Sequence, residues 1–366
     1  MIDRRRLITS VAVAPFVFRR TAAGQEPLLV LGWEGYLDLP TIERFRDRTG
    51  IEVVLETIGA YDEIFVRLRA GGMHQYSVVA PHHGLTAALH GAGLIQPLDL
   101  NQIPRLAEID PHFNLPETTE IDGTRYAAPL LFGTCPAIYN ADLLSEPPTS
   151  WTDLDSDAFT GKVAMLDDSF SHFNLWGRAV GAASAPVLSA AEMGATATIL
   201  TNLKQDRVSH FTPFPHDLVA QLANGKAVIS TTGWEGLTLL PERGAANLKI
   251  ARLAPGDFSF VQTLAIPSAA PMRHAAHQFI DFMLSPDEQA GLATRTTRGI
   301  VHPGAVGQIA EPVRSLTDYA NLDAVFKQSP ILPFPPLAES SDGTASYLDW
   351  VLSWERIRTI KSNAAP

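Results

Sequence analysis

The chain has 366 residues, enough for about two domains of ordinary size. With 46% hydrophobic and 18% charged residues its composition is globular, not disordered. The formal charge of −11 argues against a nucleic-acid partner, because neutralising phosphates needs a basic surface, and the single cysteine, Cys135, leaves no intrachain disulfide and no thiolate metal cluster.

The first residues carry the layout of an export signal. Arg4-Arg5-Arg6-Leu7-Ile8 precedes an apolar stretch over 11–18, and Arg19-Arg20-Thr21-Ala22-Ala23 follows with small residues suited to cleavage. Arg4-Arg5-x-Leu7-Ile8 resembles a twin-arginine signal. Residues 1–24 are therefore expected to be removed, taking five arginines and one aspartate with them and leaving a more acidic chain. The apolar middle is too short to span a bilayer, no other stretch reaches that length without charge, and a free periplasmic protein is expected.

The organising stretch is 28–58. An apolar run at 28–31 reads as a buried strand and stops at Gly32-Trp33-Glu34-Gly35-Tyr36. Pro40 suits the first turn of a helix, Ile42 and Phe45 share its apolar face, and Gly50 suits its left-handed end. A second strand over 51–55 completes a β-α-β unit. Two aromatic rings, Trp33 and Tyr36, and a carboxylate then stand between strand end and helix start, where open parallel sheets bind ligands. Gly233-Trp234-Glu235-Gly236 repeats the same four letters after another apolar run at 227–230.

Between them the pattern continues in chain order. A helix is expected over 61–70 and a strand over 77–80 that ends at Pro81-His82-His83-Gly84. A short helix over 85–90, an extended piece over 94–98 and a tight turn at Asp122-Gly123 follow. Residues 130–140 are extended, with Gly133 central and Pro129 and Pro136 as punctuation, and are expected to carry the chain into a second lobe. There a strand over 163–166 ends in Asp167-Asp168, a helix covers 196–203, and another stops at Asn224-Gly225-Lys226. The long extended run 258–267 carries the chain back. Helices over 277–284 and from Ser285-Pro286-Asp287-Glu288 to about 293 come next, the second with a capping signature. A proline-rich loop at 329–336 leads to a terminal helix over 347–358, whose Trp350 and Trp354 fall one turn apart as a packing stripe. The whole reads as a two-lobed α/β fold with a cleft, hinged near 132–134 and 262–264.

Several segments taken in order resemble the solute-binding proteins of bacterial ABC importers, most closely the spermidine/putrescine-binding branch. They include Gly32-Trp33-Glu34-Gly35-Tyr36, Gly93-Leu94-Ile95-Gln96-Pro97-Leu98-Asp99, Pro148-Thr149-Ser150-Trp151-Thr152-Asp153-Leu154, Leu264-Ala265-Ile266-Pro267, and 276–286. The resemblance implies a type II periplasmic-binding-protein fold with two crossover hinge strands. Its lobes would be 25–132 with 263–310, and 133–262 with 311–366. It further implies a monomer with no cofactor and no catalytic activity, which captures a small-molecule solute and hands it to an inner-membrane ABC permease.

Carried over residue by residue, Trp33 and Tyr36 resemble the family's ligand-sandwiching aromatic pair, Asp168 an ammonium-accepting carboxylate, and Trp234 the second lobe's aromatic. The departures matter as much. Ser171 stands where polyamine binders carry a glutamate, Gln262 where they carry an aspartate, Phe260 in place of a tryptophan, and His82-His83 in place of a serine/tyrosine stretch. Burying an ammonium without a counter-charge is costly, so a single carboxylate suits one positive nitrogen better than two. The expected ligand is therefore a small organic cation held by Trp33, Tyr36, Trp234 and Phe260 with Asp168, and with His82, His83 and Gln262 in reach. The rivals are a small organic anion held by helix N-termini, His82, His83 and Arg298, a metal on the histidine pair, and an exported enzyme. The last lacks G-x-S-x-G, H-E-x-x-H and a Gly-rich phosphate loop.

Overall fold

The computed structural model describes residues 26–59, 61–182, 185–232, 247–337 and 343–363. The first lobe is built on strands β1 (Leu28–Gly32), β2 (Val53–Thr57), β3 (Val78–Val79), β4 (Ile95–Gln96), the hairpin β5 (Glu120–Ile121) and β6 (Thr124–Arg125), and β7 (Ala127–Thr134). The second holds β8 (Ala137–Asn140), β9 (Val163–Leu166), β10 (Val208–Thr212), β11 (Ile229–Ser230) and β12 (Leu248–Ala251), after which β13 (Ser259–Pro267) and β14 (Gly299–Ile300) rejoin the first. The two main sheets run β14-β7-β13-β3-β1-β2, with β4 beside β13, and β10-β9-β11-β8-β12. In each, parallel strands with helical crossovers (β1 with β2 and β3; β9 with β10 and β11) meet antiparallel strands entering from the other lobe.

The helices of the first lobe are α1 (Leu39–Thr49), α2 (Asp62–Arg69), α3 (Thr86–Gly91), α4 (Pro116–Thr119), α8 (Arg273–Met283) and α9 (Pro286–Thr296). Those of the second are α5 (Ser169–Ala179), α6 (Ala190–Asn202) and α7 (Pro215–Ala223). The last stretch of chain adds α10 (Leu322–Gln328) and α11 (Tyr347–Arg358). Helix α1 forms as its sequence predicts. Asp38 accepts the N–H of Thr41 at 2.9 Å, Pro40 lies in the first turn, and Gly50 ends it at φ 75° while donating to the carbonyl of Arg46. Its Phe45 packs against Phe279 and Phe282 of α8 at 5.4 and 5.3 Å. Asp122 and Gly123 both take positive φ, 51° and 74°, the pairing a two-residue hairpin turn demands.

The expected capping box at the start of α9 does not form. Ser285 occupies the cap position, but its hydroxyl donates back to the carbonyl of Phe282. The buried carboxylate of Glu288 is instead taken by Thr41 at 3.1 Å and by two guanidinium nitrogens of Arg44. A partner on α1, invisible from local spacing, outbids the local cap.

Strands β7 and β13 pair antiparallel from Ala127 with Ala265 to Thr134 with Ser259, and the N–H of Cys135 donates to the carbonyl of Phe258 just beyond. The hinge expected at 132–134 and 262–264 thus falls inside a paired ladder. The backbone that actually leaves the first sheet is 135–136 on the way out and 252–258 on the way back. An extended run in sequence does not say where its pairing stops.

A third segment, 329–336, lies along the start of β13. Ser259 donates its N–H to the carbonyl of Pro330 and accepts from Leu332. His83 donates Nε2–H to the carbonyl of Leu332 at 3.0 Å and accepts at Nδ1 from Thr118 at 2.9 Å. The chain passes so close that a Cβ on Gly84 would collide with the backbone nitrogen of Phe334. Helix α11 follows and is fastened to the second lobe: Trp350 and Trp354 are buried, and Asp167 accepts from Trp354 Nε1 and from Arg358, both at 2.7 Å.

Gly84→Ala should therefore push the 329–336 segment off the first lobe and lower stability by about 1–3 kcal/mol, measured as a shift of the denaturation midpoint, with Gly91→Ala, where a Cβ meets open space, as the control. Burial holds the His83 imidazole down at about 4. The unfolded chain, near its ordinary value of about 6.5, binds more protons between those limits. Stability should accordingly be full above pH about 6.5 and fall as the pH drops toward 4, and His83→Gln should flatten part of that slope in denaturation series run across the range.

Candidate functional site

The interlobe site is built around Tyr61. It immediately precedes α2, so its side chain escapes that helix's core-facing stripe and stands over the ends of the first lobe's strands. Its ring meets Trp33, which follows β1, at 5.0 Å between centroids, and His82, which follows β3, at 5.6 Å. From the other lobe Phe170, in the first turn of α5, meets Tyr61 at 5.6 Å and His82 at 5.3 Å. Phe334, on the 329–336 segment, touches Tyr61 at 5.6 Å and stacks on Phe170 at 5.0 Å and 14°. Gln262 of β13 donates its amide N–H to the Tyr61 hydroxyl at 3.0 Å. Rings from both lobes thus meet on one tyrosine.

Charge around this cluster is sparse and of both signs. Asp168 caps α5: one oxygen accepts the Phe170 N–H at 3.0 Å, the other accepts the N–H and hydroxyl of Ser171. Burial pushes the Tyr61 hydroxyl well above its usual range and the nearby Asp168 carboxylate pushes the same way. Burial likewise raises Tyr36, opposed by Arg298, whose guanidinium lies over the Phe260 ring at 5.1 Å. His82 is fully buried, which holds it well below the usual imidazole range, with His83 adding to the effect. It is neutral near pH 7. Its Nδ1 accepts the Gly84 N–H at 3.1 Å, which leaves the ring hydrogen on Nε2.

Of the residues singled out from sequence, Trp33, His82, Asp168 and Gln262 come together around Tyr61. Tyr36 is buried and Trp33 pairs with Tyr61 rather than with it, while the Tyr36 carbonyl accepts from Arg295 at 3.0 Å. Phe260 is buried with one face under Arg298. His83 is committed to Thr118 and Leu332. Glu34 faces solvent. Trp234 and Glu235 lie outside the described residues. Sequence reasoning missed Tyr61, Phe170 and Phe334. The available signal for Phe170 was its place two residues after Asp168, in the same helical turn; for Phe334 there was none. The adjacent carboxylates divide as strand alternation requires: Asp167 turns to α11 and Asp168 to the first turn of α5, which carries Phe170.

Among the described residues no group of three or more His, Cys, Asp or Glu side chains gathers as a metal site, and no helix is long and apolar enough to cross a membrane.

Comparison with known proteins identifies relatives and a shared fold. The chain is 26% identical over 269 residues to the spermidine/putrescine-binding periplasmic protein 1 of Haemophilus influenzae, covering 73% of this chain and 72% of that one. It is 23% identical over 363 residues to the putrescine-binding periplasmic protein SpuD of Pseudomonas aeruginosa, covering 93% and 94%. The crystal structure of the spermidine/putrescine ABC transporter substrate-binding protein PotD from Streptococcus pneumoniae superposes with a TM-score of 0.72 at 20% identity, covering 92% of this chain and all of that one, and shares the two-lobed fold. Residues 41–316 match the family model for bacterial extracellular solute-binding proteins, and the chain belongs to that family: it captures a solute and is not an enzyme.

Proposed function

We propose that this protein is the periplasmic solute-binding component of an ABC importer and that its ligand is a small organic cation with one ammonium or quaternary nitrogen. The observation that carries the reading is the meeting of Tyr61 and Trp33 of one lobe with Phe170 of the other beside the carboxylate of Asp168. Aromatic faces attract a desolvated cation by about 0.5–2 kcal/mol each, and a charge-assisted hydrogen bond contributes about 1.5–3 kcal/mol. The relatives from Haemophilus influenzae and Pseudomonas aeruginosa are named for diamine and polyamine binding, which supports a cationic ligand.

The two positions that distinguish this chain argue for one charge. Ser171 spends its hydroxyl on Asp168, and Gln262 is neutral. A second ammonium would meet no second carboxylate from these residues. The anionic rival loses the positive charge of its histidines: His82 is neutral by burial and His83 has both nitrogens engaged. The mechanism follows from the geometry. A ligand that enters between the lobes replaces ring-to-ring contacts with its own contacts to both sides, so only the closed arrangement satisfies all of them, and binding shifts the population toward it. The permease then reads the closed form.

Calorimetry against monoamines, quaternary amines, putrescine and spermidine tests the ligand class; tight spermidine binding with no monocation bound would falsify it. Asp168→Asn keeps an effective helix cap while removing the charge. It should weaken cation binding about tenfold or more with little change in melting temperature, and equal affinity for wild type and variant would remove Asp168 from the site. Scattering from the ligand-bound protein should give a smaller radius of gyration than from the free form.

A further inference from the structure

Nine buried polar side-chain atoms among the described residues lack a hydrogen-bond partner, and three of them belong to side chains in contact with Tyr61: Trp33 Nε1, His82 Nε2 and Gln262 Oε1. Buried polar groups are nearly always paired, so this concentration asks for a partner that is not part of the chain. The chemistry of the three atoms differs. The indole nitrogen can only donate. On His82 the hydrogen sits on Nε2, because Nδ1 already accepts from Gly84, so this atom also donates. The amide oxygen of Gln262 only accepts, its nitrogen having gone to the Tyr61 hydroxyl. Two stranded donors and one stranded acceptor belong to side chains that touch one ring, and the nearby Asp168 carboxylate is an additional acceptor.

We infer that the ligand is zwitterionic: alongside its positive nitrogen it carries a carboxylate or similar hydrogen-bond acceptor, which takes the N–H groups of Trp33 and His82, while Gln262 and Asp168 face the ammonium end. The inference rests on the cation reading above and narrows it to short ω-amino acids and betaine-like solutes. A diamine would set an N–H donor against the two stranded donors and leave them unpaired, and a bare alkylammonium would leave them facing hydrocarbon; either mismatch lowers affinity by about tenfold or more.

Titration calorimetry of the full mature chain with five probes separates the possibilities: 4-aminobutyrate, 4-(trimethylammonio)butyrate, butylamine, butyrate and putrescine. One of the two zwitterions should bind at least about tenfold tighter than butylamine, butyrate and putrescine. Trp33→Phe, which keeps an aromatic ring and removes the N–H, should shrink that preference by weakening the better zwitterion several-fold more than butylamine. If butylamine or putrescine equals the better zwitterion, the stranded donors are met by water and the zwitterion inference fails while the cation reading stands. If butyrate binds as tightly as the zwitterions and butylamine gives no heat, the cation reading itself fails. Heat from none of the five overturns the inference as well.

Discussion

The antiparallel pairing of β7 with β13 is the constraint on which the rest of the architecture depends. Both strands are buried along their whole length in the first lobe, and they end side by side, where Cys135 donates to the carbonyl of Phe258. Two of the paths between the lobes therefore leave one sheet at one place. Backbone within that ladder cannot flex without breaking hydrogen bonds in a dry interior, whereas 135–136 and 252–258 lie beyond it. Rotation of the lobes about these two strands falls on those few residues, and the chain crosses once more between the 329–336 segment and α11. The site lies alongside, since Gln262 belongs to β13, and a small rotation there changes the distance between Tyr61 and Phe170 directly.

Much of the fold was legible because local chemistry and global structure agree. Pro40 and Gly50 bound α1, Asp122-Gly123 turns a hairpin, and the tryptophans of α11 are buried one turn apart, each a position where the backbone need and the residue type coincide. Failures came where a distant partner prevailed over a local one. Glu288 looked like the partner of Ser285 and belongs to Arg44 and Thr41, some 240 residues earlier in the chain. The hinge was placed within β13 because its extended run is continuous, and only pairing shows where it is held.

The site was half legible for the same reason. Trp33, His82 and Asp168 end strands or start a helix, and such ends are where this class of sheet presents side chains. Tyr61 reads from sequence as the first residue of a helix and gains its importance by standing just outside it. Phe334 comes from a proline-rich loop whose path no periodicity encodes. Departures from the resemblance were more informative than matches: Ser171 and Gln262 are neutral where charge was expected, and each is now seen bonded to a neighbour that shapes the cleft, Asp168 in one case and Tyr61 in the other.

The anchorage of α11 has a practical consequence. Its Trp354 and Arg358 grip Asp167, next to the residue that caps α5, so the helix belongs to the second lobe although the segment before it, 329–336, lies on the first. Helix α1, clamped by Glu288, is just as firmly part of the first. Fluorophores attached to exposed positions such as Leu352 on the one and Glu43 on the other would ride on separate bodies, and energy transfer between them would turn the protein into a reporter of its own cargo.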